Sequence, residues 1–271
     1  MTGPVRLYDA TYSRFQLDAR QRVRLDTYGH DLGQNSWLTI DEWRTALGWL
    51  GLAPGSRVLD VACGSGGPAR WLARGSGATV VGVDSNRHAV RTAGELARQE
   101  GLDALASFQQ ADAGRPLPFD DASFDAVVCI DAINHLPDRA GVLRDWHRLL
   151  APGGWALFTD PIVVTGLLSS QEIARRASIG YFVFALRGED ERLLREAGFE
   201  LVRCQDTTPS VALVARRWHD ARARHRTELL EDEREETFTG MQRFLATVAA
   251  LAEQRRLSRY TFLARKEATP C

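Results

Sequence analysis

Lysine is nearly missing from this chain: Lys266 is the single lysine among 34 basic residues, a bias that reads as genome composition rather than function. No basic excess exists either, since 35 acidic residues leave a formal charge of -1. A protein that wraps nucleic acid normally carries a surplus of positive charge, so that class is set aside. Cysteine is sparse and scattered. Cys63, Cys129, Cys204 and Cys271 form no CxxC pair, which argues against zinc ribbons and disulfide scaffolds. No window approaches the ~18 apolar residues that a bilayer span requires, so no membrane insertion is expected. Met1 opens onto Thr-Gly-Pro-Val rather than a signal peptide, and the expected location is the cytoplasm. Neither an internal repeat nor a low-complexity linker is present. What remains is ordinary globular composition, 44% hydrophobic and 25% charged, in 271 residues. That length allows one elaborated domain or two small ones; the missing linker favours one.

Residues 1–53 read as helical and aromatic. Thr39-Ile40-Asp41-Glu42 fits a capping box, with Thr39 capping and Glu42 reaching back. Trp43, Leu47 and Leu50 then recur at helical spacing, and Pro54-Gly55 ends the run. Short apolar runs follow at 58–62, 79–83, 107–111, 126–130 and 155–159, separated by helical patterns at 68–74, 87–100 and 138–150. Val-rich strands alternating with helices predict a parallel sheet covered on both faces. Ligands of such sheets bind beyond the carboxyl ends of the strands, where the order reverses. Further on, 189–197 predicts a helix, 199–204 a sixth strand, 210–257 two helical stretches and 260–264 a seventh strand.

Val58-Leu59-Asp60-Val61-Ala62-Cys63-Gly64-Ser65-Gly66-Gly67-Pro68-Ala69 is the sharpest signal. A strand runs into a glycine turn and then a helix, so backbone can pass close to a ligand. Gly64-x-Gly66-x-x-Ala69 also satisfies the dinucleotide fingerprint, which keeps a nicotinamide-dependent oxidoreductase open as an alternative. Two details favour a different ligand. Asp60 at the strand end would repel a pyrophosphate but hold an ammonium group, and Pro68 removes a helix N-terminal N–H that a phosphate would use. Asp84 ends the second strand, where a carboxylate accepts hydrogen bonds from ribose hydroxyls. It or Ser85 can instead cap the next helix. Asp112 and Ala113 follow the third strand.

At these residues the chain resembles the class I S-adenosylmethionine-dependent methyltransferases. The resemblance covers roughly Arg57 to Pro161 and includes Leu117-Pro118-Phe119-Asp120-Asp121-Ala122-Ser123-Phe124-Asp125 and Leu149-Leu150-Ala151-Pro152-Gly153-Gly154. It implies an α/β, Rossmann-like, seven-stranded and mostly parallel sheet with helices on both faces and an antiparallel last strand. It implies an N-terminal helical lid at 1–53, a cofactor-binding core at 54–164, acceptor-side cap elements with the sixth strand at 165–257, and the last strand with a tail at 258–271. The implied cofactor is S-adenosyl-L-methionine. Asp60, Ala62, Gly64 and Gly66 would hold its methionine end, Asp84 with Ser85 its ribose, and Asp112 with Ala113 its adenine. More narrowly, the chain looks like the branch that methylates sugars, quinones, tocopherols and glycine-type acceptors. Tyr28 to Trp37 stands where that branch has a segment closing over the cofactor, which puts Trp37 at the cofactor; Gln34-Asn35-Ser36 departs from the His that many relatives carry there. Trp37, Trp43 and Trp49 read as packing rather than stacking. A non-catalytic S-adenosylmethionine-binding protein is the remaining alternative.

Methyl transfer from a sulfonium asks chiefly for alignment, and a base is needed only when the nucleophile arrives protonated. The candidates follow the fourth and fifth strands. His135 is the expected base and Asp160 its orienter or a substrate anchor, on the reasoning that a carboxylate beside imidazole fixes its tautomer and raises its basicity. Asp131 is expected to line the methionine end of the cofactor. Asp131 and Asp160 also invite a magnesium reading, but Pro161 stands where another oxygen ligand is wanted, so no metal is expected. The charge-dense stretch from Arg216 through Glu236 reads as a solvated face, with no sequence signal for Arg-mediated recognition of an anionic acceptor. The expected partner is a small-molecule acceptor, on nitrogen or oxygen, with no nucleic acid and with a homodimer as a candidate assembly.

Overall fold

The computed structural model describes residues 7–268; Met1 and Cys271 lie outside them. Three helices lead, α1 (Leu7–Ser13), α2 (Asp18–Tyr28) and α3 (Ile40–Leu50). The alternating core follows as β1 (Arg57–Val61), α4 (Gly67–Ser76), β2 (Thr79–Asp84), α5 (Arg87–Gln99), β3 (Ala106–Gln110), β4 (Phe124–Cys129), α6 (Arg139–Leu149) and β5 (Leu150–Val164). A single 3-10 turn at Ile133–His135 links β4 to α6. The chain finishes with α7 (Ser170–Arg176), β6 (Ala185–Leu186), α8 (Glu189–Glu196), β7 (Phe199–Asp206), α9 (Thr208–Arg224), α10 (Arg226–Leu230), α11 (Glu235–Glu253) and β8 (Leu257–Lys266).

The main sheet runs β3-β2-β1-β4-β5-β8-β7, with β8 antiparallel to both neighbours. This is the expected seven-stranded path. The two-residue β6 is added beside the end of β5, pairing Val163 with Ala185. Strand β5 is far longer than the expected 155–159, because Pro161 and Ile162 sit in a register shift between Asp160 and Val163. A bulge tolerates a missing N–H that a regular ladder would not.

The order reverses between β1 and β4, so their carboxyl ends open a crevice between them. One apolar layer below the sheet gathers Leu59, Val127, Leu143, Trp146 and Phe158. The other gathers Val58, Val80, Leu72, Trp43 and Leu157, which shows why the α3 stripe is apolar. The capping box forms only by half. Thr39 accepts from the Glu42 amide at 3.3 Å, but the Glu42 carboxylate turns instead to Arg259 and to Thr261. A buried guanidinium outcompetes a backbone amide for a carboxylate.

Candidate active site

The glycine turn is built by backbone that a side chain would block. Gly64 has φ +55°, and a Cβ there would stand 2.5 Å from the Tyr12 hydroxyl. Gly66 carries φ +72°, but its bareness serves packing: a Cβ would meet Phe108 at 2.7 Å, and Gly66 does not line the cavity beside the turn. That cavity, about 360 Å³ with its open mouth, is lined by Asp60, Ala62, Gly64, Tyr12, Asn35 and Ser36 among others. Residues 31–37 are pinned across the turn. Ser65 donates to the Gly33 carbonyl at 2.6 Å, and Arg70 donates to Ser65 O at 2.6 Å and Leu32 O at 3.0 Å. A Cβ on Gly67 would be 2.6 Å from Gly33 O, so carbonyl oxygens cover the first turn of α4. A pyrophosphate would meet those oxygens rather than free N–H groups, which counts against the dinucleotide reading.

Asp60 lines this cavity, and Asp84, at the end of the adjacent strand, stands behind the turn without lining it. Asp60 is buried and its Oδ2 has no partner among the described residues. Burial, with the charge of Asp84 second, pushes its carboxyl up to about 8. An orphaned buried carboxylate calls for a cation or donor, and the ammonium of S-adenosylmethionine is such a group. Asp84 accepts from the Gly64 amide at 2.8 Å and the Asn86 amide at 2.8 Å. Asn86, not Asp84 or Ser85, caps α5, which leaves Asp84 lone pairs for hydroxyl donors. The residues present therefore fit the cofactor at Asp60 and Asp84. Ser85 and Asp112 are exposed and Ala113 is half-buried, all outside the cavity. Asp112 caps its own turn, accepting from the Gly114 amide at 3.0 Å.

A second, larger cavity of about 930 Å³ adjoins the first and shares Asn35 and Ser36 as a wall. His135 stands on it. Its Nδ1 lies 2.8 Å from Tyr181 O, and a carbonyl only accepts, so the proton is on Nδ1. Nε2 is then a lone pair, 3.3 Å from the Tyr8 hydroxyl. Burial lowers the His135 pKa below its ordinary value, so the ring is neutral at pH 7. Burial also raises Tyr8 to about 12, which keeps its hydroxyl a donor. Tyr8 and Tyr12, one helical turn apart on α1, thus reach one cavity each.

Three sequence expectations fail here. Asp160 does not orient His135. It is fully buried against Arg139, which also bonds Asp190 at 2.8 Å, and its Oδ1 accepts from the Ile162 amide at 3.0 Å. The Arg139 guanidinium outbids a neutral imidazole for that carboxylate, and the Tyr181 carbonyl takes over the orienting role. Trp37 belongs to the larger cavity rather than to the glycine turn. Its ring packs 5.9 Å from Trp218 and 6.3 Å from Phe244 because α9 and α11 offer it an aromatic slot. Asp131 also lines the larger cavity, and its carboxylate is saturated. Arg259 Nε donates to it at 2.6 Å, Thr159 Oγ1 at 2.7 Å and the Trp37 amide at 2.7 Å. It is a structural tie between the end of β4, β5, β8 and the segment 35–37. The charge-dense stretch is for the most part a solvated face, with Arg216, Arg217, Arg224, Arg226 and Glu231 exposed, but its inner side is not. Arg222 and Glu233 pair while buried, and Arg20 bonds Asp232 at 2.9 Å.

Sequence reasoning missed Tyr8, Tyr12, Asn134, Arg139 and Arg176. The tyrosines had a faint signal in their one-turn spacing; the arginines had none, because each acts through contacts distant in sequence.

Residues 59–158 match the family described as Methyltransferase domain. Over 211 residues the chain is 33% identical to 27-O-demethylrifamycin SV methyltransferase of Amycolatopsis mediterranei (strain S699), covering 72% of this chain and 77% of that protein. The chain belongs to the class I S-adenosylmethionine-dependent methyltransferases. It is also 38% identical over 165 residues to Methyltransferase GfsG of Streptomyces halstedii, spanning 59% of this chain and 58% of that relative. Among solved structures, the cyclopropane synthase MmaA2 of Mycobacterium tuberculosis shares the fold, with TM-score 0.79, 20% identity and coverage of 98% and 100%. In this family the bound cofactor supplies an electrophilic methyl group on a sulfonium. No helix among the described residues is long and apolar enough to cross a membrane.

Proposed function

We propose that this enzyme methylates an oxygen or nitrogen of a small molecule held in the larger cavity, in the cytoplasm and without a metal. The observation that carries this reading is the His135 ring. Pinned through Nδ1–H to Tyr181 O, it presents an unprotonated Nε2 to a cavity that shares a wall with the Asp60 cavity. A protonated nucleophile seated there would lose its proton to Nε2 as its bond to the methyl carbon forms and the methyl–sulfur bond breaks, its electron pair leaving with the neutral thioether, and Tyr8 would give up its place at that nitrogen. Transfer needs the nucleophile in contact with the methyl carbon, so the two cavities would have to open into each other beside Asn35 and Ser36, which line both, and alignment there would supply most of the rate gain. A relative named for an O-demethylated acceptor favours oxygen. Asp60 would hold the ammonium group of the cofactor and Asp84 its ribose hydroxyls. Asp112 and Ala113 would serve the adenine only at the rim, since neither lines the cavity.

The test is transfer of isotopically labelled methyl from S-adenosylmethionine across a panel of hydroxyl- and amine-bearing small molecules. Label in an ether or N-methyl product supports the reading. Label found only on carbon would contradict it.

A further inference from the structure

Arg176 is the group that the proposed reaction leaves unused. It ends α7, is 1% exposed and faces the larger cavity. Its Nε and Nη1 have no partner among the described residues. The rings of Phe182 and Phe244 lie 4.7 and 5.2 Å from its guanidinium carbon. They steady the positive charge, but a ring face does not satisfy in-plane N–H donors. A buried, charged donor left without an acceptor is expensive, so its retention in a cavity wall points to a ligand that completes it.

The surroundings narrow that ligand. Carboxylates that might neutralise Arg176 are taken: Asp131 by Arg259 and Asp160 by Arg139. The other arginines of the cavity have partners of their own, Arg20 and Arg222 with Glu233 and Arg24 with Asp31. Among the described residues Arg176 is therefore the cavity's unpaired cation. Asn134, fully buried on the same wall, also has neither amide atom bonded. The remaining wall is largely apolar, with Phe15, Trp37, Trp218, Met241 and Phe244. Phe182 touches both the Arg176 guanidinium and the His135 ring, whose centroid is 4.7 Å away, so cation and base lie at one end of the cavity.

We propose that Arg176, seconded by Asn134, anchors a permanent oxyanion, carboxylate or phosphate, on an otherwise apolar acceptor. This rests on the methyl-transfer reading and names its substrate class: an amphipathic acid whose nucleophile lies near its anionic end.

The experiment titrates the whole chain with phenylbutyrate, its primary amide and phenylbutyl phosphate, following the fluorescence of Trp37 and Trp218 in the cavity wall. At least one anion binds about tenfold tighter than the amide or better, the ratio expected when a hydrogen bond to a charged group is gained. Whichever anion wins identifies the group. Arg176→Gln abolishes the preference and leaves amide binding unchanged, while Arg176→Lys keeps part of it. Equal binding of amide and anions in the unaltered protein overturns the assignment without recourse to any variant, as does a preference that survives in Arg176→Gln. The titration needs no cofactor. A separate titration with S-adenosylhomocysteine tests the methyl-donor reading, so either idea can fail while the other stands.

Discussion

The two cavities of this protein are built in different ways. The smaller one is a local construction. Asp60, Ala62 and Gly64 are near neighbours in sequence, and Asp84 joins them from the adjacent parallel strand by bonding the Gly64 amide. Its chemistry is one orphaned carboxylate, Asp60, and bare backbone braced by Asp84. The larger one is assembled from α1, α2, the 35–37 segment, the 3-10 turn, α7, α9 and α11, and its chemistry is aromatic surface with arginines and one imidazole. A cofactor common to a family can be held by a short, contiguous piece of chain. On the proposed reading the acceptor, which differs from enzyme to enzyme, is held by elements free to vary without disturbing the sheet.

The largest effect should come from the acceptor side. Replacing His135 with Ala is expected to cut turnover by about a hundredfold to ten-thousandfold, the usual share of a general base, while S-adenosylhomocysteine affinity stays unchanged. Turnover that survives would mean that proximity alone drives the reaction and that the imidazole only shapes the loop. Next is the buried charge cluster around Arg139, which lines neither cavity. Arg139→Met leaves Asp160 and Asp190 buried together without their cation, and the denaturation midpoint should reflect a loss of about 3–5 kcal/mol. An unchanged midpoint would contradict the structural role given to Asp160. A smaller effect separates the cavities by pH. With its carboxyl near 8, Asp60 is protonated at neutral pH in the free protein. A bound ammonium group favours the ionised form, so binding releases a proton. Affinity for S-adenosylhomocysteine should then rise with pH on the acid side of that value, by up to about tenfold per unit. Calorimetry in buffers of different ionisation enthalpy counts the proton. No release would mean that Asp60 does not meet the ammonium group.

The same contrast explains what could be read from sequence. The strands and the glycine turn between β1 and α4 follow from periodicity and from spacing over a few residues, and the resemblance to a known family suggested Asp60 and Asp84 as the residues to examine. Gly66 was legible as a glycine requirement, but its reason, the Phe108 ring, was not. Asp160 and His135 follow neighbouring strands as the sequence bounds them, so sequence suggested a pair, although β5 runs on past Asp160. The competing partner of Asp160, Arg139, lies on a helix, and strand-end reasoning does not see helices. Trp37 illustrates the same limit. That it packs was evident, whereas the side it faces depends on Trp218 and Phe244, far along the chain. Arg176 carried no signal, because an unpaired buried arginine is recognisable only once every other charge has been assigned a partner.

The central claim is that the glycine turn, through Asp60, binds the methyl donor rather than a dinucleotide. Calorimetric titration of the unaltered chain and of Asp60→Asn with S-adenosylhomocysteine, and in parallel with NADH, tests it most directly. The account predicts that S-adenosylhomocysteine binds and NADH does not, and that Asp60→Asn weakens the former by about ten- to a hundredfold, the worth of a charged hydrogen bond. Binding of NADH, or an Asp60→Asn variant that holds S-adenosylhomocysteine as tightly as the parent, would contradict it.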